Sequence, residues 1–330
     1  MTSPAGTLRR VLGWHPPLMA LSALMVAMAG VCAVGLATDP RVLVGAPIWL
    51  KPFKFAVSIA VYSVSWAWLV SRMGPRNRRR AALLSTGLVG LFALEYVIIV
   101  GQVLRGQLSH FNETTPLNAT LFGIMGTSIV VIWTGTLVLS WMLLSERVGD
   151  VATTRAVQLG ALLSVVGAGL GALMVGPTAD QRAAMADGTF DGVMGAHSVG
   201  APDGGPVMPI TGWNTEVGDL RVPHFFGLHA LQALPLILLG LALLGRRFPR
   251  LAEVRVRSRL VWVAAGGYLA VMALLVWQAE RGQSVIHPDA LTLGTFAVIV
   301  AAVAVGAALV LRQAADDRPL PAPAAAGELS

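Results

Sequence analysis

Residues 81–103 read AALLSTGLVGLFALEYVIIVGQV, a run whose single charged residue is Glu95. About 20 predominantly apolar residues suffice to cross the hydrocarbon core of a bilayer. In lipid the backbone must satisfy its own hydrogen bonds, which leaves helices and closed barrels, and barrel strands would alternate polar and apolar residues. This stretch does not alternate, so it reads as a transmembrane helix. Similar stretches lie at about 18–37, 53–71, 118–145, 156–176, 223–245, 259–279 and 290–311. The expectation is an all-α polytopic membrane protein with eight transmembrane helices.

Composition agrees: 55% of the 330 residues are hydrophobic and 12% charged, whereas soluble domains carry about 25% charged residues. The formal charge of +7 is an orientation signal and excludes a nucleic-acid role. With the N-terminus inside, 17 of the 24 basic residues fall in cytoplasmic segments, among them Arg76, Arg78, Arg79, Arg80, Arg246, Arg247 and Arg250. This places the chain in the cell membrane with both termini cytoplasmic and the bilayer as its main partner. The only cysteine, Cys32, lies in the first apolar stretch, so neither an intramolecular disulfide nor a cysteine-based metal cluster is available.

Two short patterns recur. Gln102-Val-Leu-Arg105-Gly106-Gln107 ends the third stretch and Gln278-Ala-Glu-Arg281-Gly282-Gln283 ends the seventh; His110 and His287 follow within a few residues. The second and sixth stretches begin alike, Pro52-Phe53 answering Pro223-His224 and Phe55 answering Phe226. A tandem, pseudo-twofold duplication of a four-helix unit explains both, with one half at 1–150 and the other at 151–312, related by an axis along the membrane normal. The outer loop 177–221 reads either as an ordered cap, on account of His197, Trp213 and Gly218-Asp219-Leu220-Arg221, or as a mobile linker. The tail 313–330, rich in proline and alanine, reads as a disordered cytoplasmic segment.

Five of the six histidines, His110, His197, His224, His229 and His287, map to the outer side. Neutral imidazole is a common metal ligand and bundle cores are where such ligands converge, so His110, His224, His229 and His287 are candidates for haem b or a metal ion. Ionisable residues inside spans are functional candidates by default. Glu95 and Lys54 could reach a similar depth as a pair, and under the duplication both charges vanish together in the second half, where Val271 and Phe225 stand in their places. Only two lysines occur, Lys51 and Lys54. Arg105 and Arg281, beside Gln102 and Gln278, either cap helix ends or bind an anion.

In layout, two four-helix halves with histidines near the outer surface, the chain resembles the haem A synthase type of membrane protein. That resemblance implies a redox role, with His229 and His287 as ligands of one haem. The sequence departs from it at Ser58 and Lys54, where a histidine would be wanted, and in having no cysteine pair in the outer loops. The alternatives are a transporter that binds a small anionic or zwitterionic solute through Lys54, Glu95 and the outer arginines, and a non-catalytic assembly or sensing protein whose outer loop binds a partner. No span is expected to be broken within the membrane.

Overall fold

The computed structural model describes residues 4–316. Its helices are α1 (Pro4–Leu12), α2 (Pro16–Thr38), α3 (Leu50–Arg72), α4 (Pro75–Leu104), α5 (Pro116–Leu143), α6 (Val151–Gly169), α7 (Ala179–Asp187), α8 (Arg221–Leu228), α9 (Ala230–Leu244), α10 (Pro249–Ala252), α11 (Val254–Glu280) and α12 (Ala290–Asp316). A 3-10 turn, Leu170–Met174, extends α6. Two antiparallel ribbons complete the fold: β1 (Val42–Leu43) pairs with β2 (Ala46–Pro47), and β3 (Ser198–Val199) with β4 (Gly218–Asp219).

Among the described residues, seven helical segments are long and apolar enough to cross a membrane. An eighth crossing requires α8 and α9 to count as one span, and these are bent by 54° where they meet. The architecture is thus that of a multi-pass membrane protein. The continuous helix expected at 223–245 is instead broken at His229. Pro235, inside α9, weakens the same span further, because it has no N–H to offer the Leu231 carbonyl one turn back. Of the tail, residues 313–316 continue α12; residues 317–330 lie outside the described residues.

Helix starts follow local chemistry. His15 caps α2, its Nδ1 accepting from Leu18 N at 3.2 Å while its Nε2 donates to the Ala82 carbonyl at 3.1 Å. Thr115 caps α5 and Asp150 caps α6, each accepting from the backbone N–H three residues on. Prolines occupy the first turns of α2, α4 and α5, where a missing N–H removes nothing.

The two largest apolar cores follow from this packing. One joins α2, α3, α4 and α5 around Leu18, Met25, Trp66, Leu88 and Leu139. The other joins α6, α9 and α11 around Ala156, Leu234, Val261 and Met272. Where α8 crosses α6, glycine meets glycine: a Cβ on Gly167 would stand 2.3 Å from the Gly227 backbone. The broken span is held against α6 at a distance no larger residue permits. Overpacking typically costs about 1–3 kcal/mol. Gly167→Leu should therefore lower the thermal unfolding midpoint of the detergent-purified protein well below that of Gly30→Leu, since nothing lies within 4 Å of a Cβ at Gly30.

Candidate functional site

At the end of the bundle opposite the arginine-rich connections, the segment from Val175 to Leu220 folds over the helices as a cap. Its backbone is stitched to the α4–α5 connection: Glu113 N donates to Gly192 O at 2.7 Å and Met194 N to Phe111 O at 2.9 Å. It is stitched to the α11–α12 connection as well, where Ser284 Oγ donates to Asn214 O at 3.3 Å and His287 Nδ1 to Thr215 O at 3.1 Å. Gly218 runs so close to α11 that a Cβ there would fall 2.0 Å from the Ala279 carbonyl. Lys54 Nζ closes the edge over α3 by donating to Thr211 O at 2.6 Å.

Asp219 organises the base of this cap. Its buried carboxylate accepts from Asn214 N at 2.7 Å, from Arg221 N at 2.9 Å, and from the Arg221 guanidinium through Nε and through Nη2 at 2.6 Å. A bidentate arginine pair of this kind is strong and directional. Asn214 in turn caps its own turn, its Oδ1 accepting from Glu216 N and Val217 N. Asn214, Asp219 and Arg221 make one knot at the start of α8.

A second pair lies within the cap. His197 Nδ1 and Asp203 Oδ2 are 2.7 Å apart, and Asp203 also accepts from the His197 and Ser198 backbone N–H groups. Phe111 lies between His197, at 4.9 Å between ring centres, and His110, at 6.2 Å. Burial pushes both imidazoles below the usual range; Lys51 and His197 add to this at His110, whereas at His197 the Asp203 hydrogen bond opposes it. Burial alone would raise Asp203, but the His197 hydrogen bond and charge and the backbone donors prevail, holding its carboxyl well below the carboxylate range.

Glu95, 3% exposed, lies below the cap with its Oε1 buried and without a hydrogen-bond partner. The expected Lys54–Glu95 pair is not formed, because the Lys54 ammonium is spent on Thr211. Glu95 instead feels the field of Lys51, one helical turn earlier on α3. Lys51 also senses Lys54, Arg221 and Asp203. Among the described residues it makes no hydrogen bond or ion pair.

The remaining candidates fall elsewhere. His224 Nδ1 donates to the Gly167 carbonyl at 2.9 Å and is held against α6. His229, at the break, and His287, on the cap edge, are both exposed, and no hydrogen bond or ring contact joins them. Among the described residues no group of three His, Cys, Asp or Glu side chains is placed to hold a metal ion. The haem or metal expectation is left without a converging ligand set.

The two Q-x-x-R-G-Q elements make the same turn. Gly106 (φ 67°) and Gly282 (φ 70°) are left-handed and close paired Schellman bonds, Gln107 N to Gln102 O and Gln283 N to Gln278 O. Gln102 Nε2 donates to Leu108 O at 3.0 Å and Gln278 Nε2 to Ser284 O at 2.8 Å, six residues ahead in each case. Arg105 then reaches Asn118 in the first turn of α5, and Arg281 reaches Asp289 and Thr292 at the start of α12. These arginines pin one helix to the next, so their role in the structure is internal to the connections. Comparison with protein-family models, with curated proteins and with solved structures finds no match for this chain.

Lys51, Asp203 and Asp219 lie at the same end as Lys54 and Glu95, and of these the two lysines and Glu95 stand out in the sequence as charges within apolar stretches. The rest come from the cap, whose path no periodicity describes. A pH dependence follows from the two histidines. Both have folded-state affinities for protons below that of a free imidazole, near pH 6.5. Below about pH 6.5 the unfolded chain therefore binds more protons, and stability falls with acidification. The unfolding midpoint should decline from pH 7.5 to 5.5, and less steeply in His110→Gln.

Proposed function

We propose that this chain is a transporter of a small anionic or zwitterionic solute in the cell membrane, with the capped end extracytoplasmic and both termini cytoplasmic. The observation that carries the reading is the break at His229. Discontinuous spans recur where transporters bind solute, since the interruption frees backbone groups and provides a hinge. Here the broken span begins at Arg221, inside the charged cluster, and its half-helix α9 reaches α3 through Gln232 Nε2, which donates to Ser65 Oγ at 2.9 Å. The start of the interrupted helix and the lysine-bearing end of α3 thus lie together under the cap, and α9 meets α3 about three turns further along.

The matched turns after α4 and α11 support a tandem duplication of a four-helix unit. Thr115 and Asp289 both cap the helix that follows, each accepting from the third residue on. On this reading the first half, 1–150, contributes the charges and the second, 151–312, the broken span and the cap. Transport between two such units is a rocking of one against the other about the site.

The test is uptake by proteoliposomes of a radiolabelled panel of small carboxylates and amino acids. At least one should accumulate, and Lys54→Met and Glu95→Gln should each cut its uptake by about tenfold or more, equivalent to a loss of roughly 1.4 kcal/mol. Uptake indifferent to both replacements, or absent across the panel, would contradict the proposal.

A further inference from the structure

We infer that the solute is a zwitterion, with its carboxylate on Lys51 and its ammonium on Glu95. This rests on the transporter reading and names the substrate class of that same site. Among the charged side chains at the capped end that are not exposed, the others have partners. Arg221 is bound twice by Asp219, Asp203 by His197 and two backbone N–H groups, and Lys54 by the Thr211 carbonyl. Lys51 and Glu95 alone are left, opposite in sign, within each other's field and yet not in contact.

The two groups need different things. The half-buried Lys51 ammonium has no protein acceptor and can take one from a solute, and the buried Glu95 Oε1 needs a donor. An anion would satisfy Lys51 but leave Oε1 unpartnered and set a second negative charge near it. A cation would do the reverse. One molecule carrying both charges satisfies both groups and leaves the net charge of the site unchanged, and a site built to hydrogen-bond a group rejects analogues that lack it.

The surroundings of Glu95 support this assignment. Along α5 there is no ionisable side chain, and along α2 only Cys32, which is held by the Tyr96 hydroxyl. From α3 come Lys51, Lys54 and Tyr62, the last bonded to Thr136 Oγ1 at 2.9 Å. The rest of α4 contributes Tyr96 nearby and arginines only at its far end. No protein group other than Lys51 balances the carboxylate, so its second partner comes from outside.

Binding to the purified full chain in detergent can be measured by calorimetry with glycine, β-alanine and γ-aminobutyrate as zwitterions, propionate as the anion and propylamine as the cation. At least one zwitterion should bind about tenfold or more tighter than propionate and propylamine. In Glu95→Gln that preference should disappear, with propionate binding retained, and in Lys51→Met zwitterion affinity should fall by about tenfold. The wild-type ranking decides the question even if a variant fails to fold. Propionate binding as tightly as every zwitterion, or a preference that survives in Glu95→Gln, would overturn the zwitterion assignment while leaving a lysine-dependent anion site intact. Binding of none of the five would remove the solute site together with this inference.

Discussion

Glu95 and Lys51 are opposite charges held inside a bundle whose other faces meet lipid, and neither is satisfied by contact with the other. A charge taken out of water is tolerated only with compensation, and breaking such compensation is strongly destabilising. Much else at the capped end can be read as a response to that constraint. The cap lies over this end of the bundle, Asp219 and Arg221 fix it to the start of α8, and Lys54 fastens its edge to α3 through Thr211. The close glycine crossing at Gly167 and Gly227 then fixes α8 against α6, so that the knot and the broken span keep one position relative to the charges.

The two halves, if copies of one unit, have divided the work. Both keep the Schellman turn after the third helix, with its glutamine bracing the connection and its arginine holding the next helix. On the proposed duplication, Phe225 and Val271 stand where the first half has Lys54 and Glu95, and the second half has an interrupted helix and a long preceding loop. On the same proposed duplication, a frame that has Val271 where the other half has Glu95 does not need a carboxyl for packing. The charge is an addition to the fold, which is why it reads as functional.

How much of this was legible in the sequence depended on range. Seven of the spans are legible directly, because about twenty apolar residues without strand alternation have one solution in lipid, a helix. The repeated turns were legible because a left-handed glycine and its flanking polar residues are local in sequence. The break at His229 was not read, although Pro235 lies within the span, since one proline is often absorbed by a membrane helix and the bend depends on how α8 packs against α6. The site was half legible: Lys54 and Glu95 were visible as intramembrane charges. Which lysine faced Glu95 turned on Thr211, 157 residues away in sequence from Lys54 and brought to it only by the folded cap.

A double-mutant cycle on unfolding free energy tests the central claim, that Lys51 and Glu95 compensate one another, most directly. Lys51→Met and Glu95→Gln should each destabilise the protein, since each leaves one uncompensated charge, and the double variant should recover much of the loss, with a coupling above about 1 kcal/mol. Losses that simply add, to within about 0.5 kcal/mol, would show that the two charges do not answer each other.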